Sequence, residues 1–336
     1  MVILRLSTAM AVPPESVMRK PILLLAGASL LALSFTAMGA EQCRYSAPRN
    51  AEINAAGLKL LAVQIGPDDL VIHGEPGLAN VVVRGTACAS NEKWLQDVKI
   101  EAARHGDTAS VIAHDGDHTM IMSLFGGSYA YLKLDVRVPQ SLALKLQEGS
   151  GDARVNSVAA LDASLGSGDL KVNGVAGELG LSVGSGDAVA SDVGSVNVSS
   201  LGSGDVSVDN VHGNARAGGV GSGDLVLGSI KGEVSLGSIA SGSARITGVG
   251  GSLDAKSVGS GDLIVSNVTG NVSVGAVASG DVKISQAGGN VHAGSVGSGD
   301  FDADGVGGDF SVGSVGSGDV SHRNVKGKVS VPRDDD

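Results

Sequence analysis

Aromatic side chains are scarce in this chain of 336 residues, because phenylalanine, tyrosine and tryptophan together make up only 2% of it. From residue 141 onward the aromatic rings of this kind are Phe301 and Phe310, so the region has no platform on which sugars could stack. Positive charge is also scarce, since 24 lysines and arginines stand against 35 aspartates and glutamates, with a net charge of −11. Such an acidic chain is not expected to bind nucleic acid.

Cysteine is rare as well, and Cys43 and Cys88 are the only two in the sequence. The N-terminal segment has the pattern of a secretory signal peptide: a basic pair at residues 19 and 20 precedes an apolar run from Pro21 to Phe35, and small residues follow. We expect residues 1–39 to be removed on export, with Met18 as the natural start. The apolar run is too short for a transmembrane helix, so the mature chain is expected to have no such segment.

Export places the protein in the periplasm, at the cell surface or outside the cell. Two cysteines in an oxidising compartment commonly form a disulfide, so we predict a Cys43–Cys88 bridge. Two buried free thiols are the alternative.

Glycine, in contrast, is abundant: the chain contains 52 glycines, many of them in a repeat built around the tetrad Gly-Ser-Gly-Asp. The tetrad recurs after 17, then 18 and then 19 residues, and a fixed period of this length indicates a solenoid whose units stack on their neighbours. Its last position is aspartate in nine copies and Ser243 in one. The aspartates are Asp152, Asp169, Asp187, Asp205, Asp224, Asp262, Asp281, Asp300 and Asp319.

Apolar residues hold constant offsets of +1, +3, +6, +10, +12 and +15 from the tetrad aspartate. Steps of two are typical of strands that face a core with alternate side chains, and no helical period of 3.6 occurs in the repeats. We therefore predict an all-β fold, a parallel β-helix of about ten coils of 17–19 residues over residues 141–331, with an acidic tail at 332–336. Glycines in the tetrad, at +8 and at +13 are expected to form three corners.

Residues 40–140 lack the repeat and are expected to form a β-rich N-terminal cap. Asp115-Gly116 is a two-residue hairpin signal. The predicted strands are Leu58–Ile65, Leu70–His73, Val81–Arg84, Val98–Ala102, Ala109–His114, Thr119–Leu124 and Tyr129–Val138.

The tetrad aspartates are expected to stack into a column, for which two interpretations stay open. Each carboxylate could accept hydrogen bonds from the backbone of its own turn, as aspartate commonly does. Alternatively the column could bind divalent cations, with calcium as the expected ion. The residues of this candidate cation ladder are Asp205, Asp224, Asp262, Asp281, Asp300 and Asp319.

Three other patterns carry weaker functional signals. The tetrad serine could be a nucleophile, but ten equivalent serines without a base at a fixed position favour a column of hydroxyl groups. Residues 219–223 resemble a phosphate loop, although no helix is predicted to follow them. His114 and His118 flank a turn and could share a transition metal; a solvated hairpin tip is the alternative.

The run from Leu134 to Leu142, followed by tetrads of the form Gly-Ser-Gly-Asp-Φ-x-Val, resembles a bacterial family of unknown function known as Toastrack, or the "putative adhesin" family. The resemblance covers residues 55–331. It implies an exported single-chain β-helix and supplies no catalytic residues. We therefore predict a non-enzymatic protein without cofactors that binds an envelope or surface ligand or acts as a scaffold. The alternatives are a carbohydrate-active envelope enzyme on a β-helix and a structural rod stiffened by calcium.

Overall fold

The computed structural model describes residues 43–116 and 129–332. The predicted signal peptide, the predicted strand at 119–124 and residues 333–336 of the tail lie outside these described residues. The described part of the chain contains 26 strands and a single 3₁₀ helix, Trp94–Gln96. None of its helices is long and apolar enough to cross a bilayer. The all-β prediction is therefore confirmed.

Seven strands precede the repeats. The first was not predicted, because its sequence YSAPRNAEIN carries no alternation of apolar and polar residues. The strands are β1 (Tyr45–Asn54), β2 (Leu60–Ile65), β3 (Asp69–Glu75), β4 (Asn80–Ala89), β5 (Lys99–His105), β6 (Thr108–His114) and β7 (Ala130–Pro139).

Nineteen further strands form the repeat region. They are β8 (Ala143–Glu148), β9 (Ala153–Val158), β10 (Ala160–Leu165), β11 (Leu170–Val183), β12 (Ala188–Leu201), β13 (Val206–Val211), β14 (Ala215–Val220), β15 (Asp224–Ile230), β16 (Val234–Ile239), β17 (Ser243–Val249), β18 (Leu253–Val258), β19 (Asp262–Val268), β20 (Val272–Val277), β21 (Val282–Ala287), β22 (Val291–Val296), β23 (Phe301–Val306), β24 (Phe310–Val315), β25 (Val320–Val325) and β26 (Val329–Ser330).

Most coils contribute one strand after the tetrad aspartate and a second strand before the next tetrad, whereas β11 and β12 each run through both places without a break. Strands at the same place in successive coils pair in parallel and in register, as β17 with β19 and β16 with β18. We call the outward surface of the first strands face A and that of the second strands face B. Because side chains alternate across a strand, the predicted offsets all point inward. In one coil Leu263, Val265, Val268, Val272, Val274 and Val277 are at most 2% exposed.

This assignment of inward and outward positions predicts unequal effects of truncation. Val268→Ala should reduce the free energy of unfolding by about 2 kcal/mol, because it leaves a cavity in a packed core. Ser266→Ala on face A should change it by less than about 0.5 kcal/mol, because the Ser266 hydroxyl makes a single exposed hydrogen bond, to Thr247. Urea unfolding measures both values, and equal losses would contradict the assignment.

Each coil has one corner at which a residue has a positive φ, and the position of this corner was not predicted from the sequence. The fifth residue after the tetrad position has a φ between 53° and 78° in every coil. Asparagine, aspartate and serine tolerate this left-handed conformation better than most residues, and glycine adopts it freely. These residues are Ser157, Gly174, Asp192, Asn210, Ser229, Gly248, Asn267, Gln286, Gly305 and Asn324. The glycines expected at the corners do not have positive φ; those of the tetrad instead permit close stacking of the backbone.

The parallel stack begins earlier in the chain than the predicted residue 141. β2 pairs in parallel with β8, and β3 pairs in parallel with β9. Residues 66–69, with the sequence Gly-Pro-Asp-Asp, take the place of the tetrad in this layer. The layer beneath it is formed by β6 and β7, which come later in the chain. These layers could not be predicted from the sequence, because their strands are separated by long segments of chain and carry no Gly-Ser-Gly-Asp motif.

Antiparallel strands close the N-terminal end of the solenoid. β4 pairs with β7 and β1, and β5 pairs with β6, so the lowest parallel layer is covered. Covering a sheet edge in this way prevents its unpaired backbone groups from joining another chain. The predicted disulfide is present: Cys43 is bonded to Cys88 of β4, with a Cα–Cα distance of 5.2 Å.

Candidate functional site

The tetrad corner repeats the same arrangement of polar groups along the solenoid. The tetrad serine is exposed in all ten copies, as is each of the nine tetrad aspartates. The second tetrad glycine lies between them and is buried in the first nine copies. A hydroxyl column and a carboxylate column therefore run side by side on the outside. Neighbouring coils are about 4.8 Å apart, which sets the repeat distance of both columns.

The aspartate column is a hydrogen-bond ladder between coils. Oδ1 of Asp187 accepts the backbone N–H of Asp205 at 3.0 Å, and Oδ1 of Asp205 accepts that of Asp224 at 2.9 Å. The same bond joins Asp281 to Asp300, at 3.0 Å. These bonds were predicted to lie within each turn, but they run from one coil to the next. Six of the nine carboxylates thus stabilise the corner of the next coil, which a single turn considered alone could not show. They are those of Asp169, Asp187, Asp205, Asp224, Asp281 and Asp300.

No group of three or more histidine, cysteine, aspartate or glutamate side chains is arranged to hold a metal ion within the described ranges. The cation ladder therefore remains a prediction, carried by stacked carboxylates alone. Adjacent exposed carboxylates at about 4.8 Å repel each other by on the order of 1 kcal/mol. Where one oxygen of a carboxylate accepts an N–H, the geometry of that group is already fixed by the fold.

We expect calcium to change the melting temperature by less than about 2 °C, because the ladder is already satisfied by backbone donors and is interrupted at Ser243. The measurement compares thermal melting in chelator and in millimolar calcium at matched ionic strength. A rise above about 5 °C that is lost on replacing Asp262, Asp281 and Asp300 with asparagine would instead establish a calcium-dependent rod. Asparagine keeps the accepting oxygen, so the triple variant should fold normally.

A second ladder of the same kind lies nine residues after the tetrad aspartate and was not predicted. Oδ1 of Asn271 accepts the N–H of Asn290 at 2.8 Å, and Oδ1 of Asn290 accepts that of Asp309 at 2.8 Å. Asn214 makes the same bond to Glu233, at 2.9 Å. The recurrence of a short polar residue at +9 in the sequence could have predicted this second ladder. Where both bonds form, two corners of a coil are therefore tied to the next coil by side chains.

In the serine column, the hydroxyl oxygens of Ser317 and Ser298 are 3.1 Å apart and form a hydrogen bond. The resemblance of residues 219–223 to a phosphate loop has no structural counterpart. The N–H groups of Ser222 and Gly223 both donate to the carbonyl oxygen of Gly202, at 2.8 and 3.1 Å. These donors are engaged by the coil beneath, and a strand rather than a helix follows.

The candidate histidine pair is only partly described. Nε2 of His114 lies 3.6 Å from Oε2 of Glu101, and both side chains are exposed. His118 lies outside the described residues, so the shared-metal interpretation is untested. Asp115, the next residue, is half-buried and instead forms an acidic pair with the buried Asp68.

Asp68 is completely buried at the place of the second tetrad glycine in the layer of β2 and β3. Its Oδ1 accepts the backbone N–H of Leu132 at 2.6 Å, which ties β7 to this layer. Burial raises the pKa of Asp68 to about 7, the Leu132 N–H partly offsets that rise, and the nearby Asp115 adds to it. The carboxyl therefore holds a proton more readily than an exposed aspartate does.

Glu148 is a second buried carboxyl, 5% exposed, and both of its oxygens lack a hydrogen-bond partner. Its inward position is held by Ile65 in the neighbouring layer on one side and by Leu165 in the coil on the other side. All of the remaining coils also have an apolar residue at this position. Burial raises the pKa of Glu148 to about 7, and the charges of Asp152 and Asp169 add to the rise. Glu148 was not predicted as a buried residue, because the inward offsets were read from their apolar members and Glu148 is the one acidic residue at this offset.

These features define a class of protein: a parallel β-solenoid whose corners carry exposed, regularly spaced polar columns and whose core is apolar. The chain belongs to the family described as Toastrack DUF4097, whose model matches residues 83–305. The resemblance drawn from the repeats is thereby confirmed. No curated protein sequence matches the chain.

A comparison with solved structures gives matches at low identity and low TM-score. One is a "putative cell adhesion protein" from Clostridium sporogenes, with 11% identity, a TM-score of 0.30, and coverage of 85% of this chain and 99% of that one. A "putative lipid binding protein" from Parabacteroides distasonis has 14% identity and a TM-score of 0.30, covering 85% and 97% of the two chains. A "putative adhesin" from Bacteroides fragilis has 11% identity and a TM-score of 0.24, covering 86% and 98%.

Proposed function

We propose that this protein is exported to the bacterial envelope and acts there as a non-enzymatic, adhesin-like rod that binds a ligand or serves as a scaffold. The observation that carries the proposal is the exposure of the same serine and aspartate at the same corner of coil after coil. A surface that repeats at a fixed spacing suits a partner that also repeats, such as an envelope polymer. Many weak contacts to such a partner add up to firm binding through multivalency.

The organisation of the chain supports a binding role. Most apolar side chains of the repeats are used in the core, with Val189, Val226 and Val329 exposed, and the polar ladders hold the coils in register. In the described part of the chain the tetrad serines have no histidine at a matching position in each coil, as nucleophilic catalysis at these serines would need. We propose that residues 40–140 act as the cap and residues 141–331 as the binding rod.

Export is supported by two independent features. Residues 21–35 form the apolar core of a signal peptide in the sequence, and the Cys43–Cys88 disulfide is typical of an oxidising compartment.

We expect protein isolated from the envelope fraction to begin near residue 40 by mass spectrometry. It should show no free thiol in denaturant and two thiols after reduction, because the disulfide forms after export. A Cys43→Ser, Cys88→Ser double variant is the control for the thiol reagent. Retention of residues 1–39 together with two thiols titrating before reduction would refute export.

A further inference from the structure

Face B carries a charge pattern that is complementary to itself. Eleven residues after the tetrad position, or ten in the shorter coil of Asn197, successive coils present Asn197, Arg216, Ser235, Asp254 and Ser273 in one column. Arg216 and Asp254 are exposed and lie on either side of Ser235. Their Cα atoms are about 10 Å apart, twice the spacing of neighbouring strands. Among the ion pairs of the described residues, none involves either side chain.

We propose that face B is the contact surface of a two-fold dimer, with a second copy of this chain as its partner. With two copies placed face to face and antiparallel, and the two-fold axis passing through Ser235, Arg216 of each copy lies opposite Asp254 of the other. A two-fold interface uses the same patch on both subunits, so one complementary pair is made twice. Ser235 then lies opposite Ser235.

The columns on either side follow the same symmetry. A two-fold axis that lies between the faces and runs along the strands reverses the order of the coils and keeps each strand position over itself. Gly237 then lies opposite Gly237, Gly218 lies opposite Lys256, and Asn214 lies opposite Ser252. The two copies of Glu233 meet at the edge of face B, where water and salt screen their charges.

The surface around the axis is shaped for such a contact. Two adjoining shallow depressions meet at Arg216, Ser235 and Asp254. Nine coils on this face give a patch about 40 Å long and about 16 Å wide, at the spacings of strands and residues in a sheet. Two such patches bury on the order of 1,300 Å² in total, within the range of specific interfaces. Sheets pack face to face about 10 Å apart, which the short side chains here allow.

A charge swap tests the pairing in the mature protein. Analytical ultracentrifugation of the wild type should show a concentration-dependent dimer. Arg216→Asp and Asp254→Arg should each raise the dissociation constant at least about tenfold, because each places like charges opposite one another. The double variant Arg216→Asp, Asp254→Arg restores the pattern and should return within about threefold of the wild type. Arg245→Asp makes the same charge change on face A and should leave the dimer intact.

Cysteine placement tests the axis. Ser235→Cys should be linked between copies by a short bis-maleimide, since two copies of this residue face each other at the axis across sheets about 10 Å apart, which is too far for a direct disulfide. Ser273→Cys alone should not, because it lies opposite Asn197, but Ser273→Cys combined with Asn197→Cys should. A monomeric wild type, a double swap no better than the single ones, or equal crosslinking by Ser235→Cys and Ser273→Cys would each overturn the proposal.

Discussion

Replacing Gly261 with alanine should reduce the free energy of unfolding by about 4 kcal/mol, the largest effect expected of so small a change in this protein. Gly261 is the second glycine of its tetrad, and a Cβ there would lie 1.8 Å from the carbonyl oxygen of Gly242 in the coil beneath. That oxygen belongs to the backbone, so it cannot move aside without parting the two coils. The N–H of Asp262 donates to the same oxygen at 3.2 Å, and it would be strained as well.

Gly219→Ala is the matched control. Its Cβ would meet nothing within 4 Å, and its φ is not in the left-handed region, so alanine fits. This substitution should leave stability unchanged or raise it by up to about 1 kcal/mol, because alanine loses less backbone entropy on folding. Chemical unfolding followed by circular dichroism compares the two variants. Similar losses would show that the tetrad glycines do not serve coil stacking.

The second large expected effect is a gain in stability. Glu148→Leu should raise the free energy of unfolding at pH 8 by about 3 kcal/mol, because the ionised form of this buried carboxyl is the one that the fold disfavours. The neighbouring coils already hold Ile65 and Leu165 at this position, so leucine matches its surroundings. Gly168 lies against Oε1 of Glu148, and its lack of a side chain leaves room for the side chain at position 148.

The sign of the pH dependence follows from the raised pKa values. Glu148 and Asp68 each have a folded-state pKa raised to about 7, above the values near 4 of unfolded chains. The folded protein therefore binds more protons than the unfolded chain between about pH 4 and pH 7, and its stability decreases as the pH rises through that window. Above about pH 7 the loss from these two groups is complete.

Thermal melting from pH 5 to pH 8 measures this loss. The wild type should lose about 5–10 °C over the range, and Glu148→Leu should remove about half of that loss. Glu178→Gln, at an exposed position of face B, should leave the profile unchanged. A Glu148→Leu variant that is less stable than the wild type at pH 8 would mean that the carboxylate has a stabilising partner in solution.

The inward positions could be read from the sequence because one coil is both the structural unit and the repeat. The inward position of Val268 is held by Val249 and Ala287 in the neighbouring coils. A single periodicity therefore determines the strands, the core and the register together. The repeat of the tetrad also predicted that its serines and its aspartates stack into columns. Its functional content was less clear, since the same aspartate suits a hydrogen-bond ladder and a cation site.

Features that depend on the contact between distant layers could not be predicted. The layer of β2 and β3 is held between β6 and β8, which lie far from it in the chain. The pairing of Asp68 with Asp115 and the burial of Glu148 arise at that junction. The corner at +5 was missed for a local reason: residues as different as Ser157, Asn210 and Gln286 adopt the left-handed conformation there, and no one residue type marks it.

Crosslinking on intact cells tests most directly whether this rod contacts the envelope. Lys171, Lys231 and Lys283 are exposed on different coils and can react with a small amine-specific crosslinker that does not pass the cytoplasmic membrane. We expect mass spectrometry to find each of them linked to components of the envelope, with links from several coils to the same partner. No labelling of these lysines until the cells are lysed, or links confined to cytoplasmic proteins, would contradict an exported binding rod.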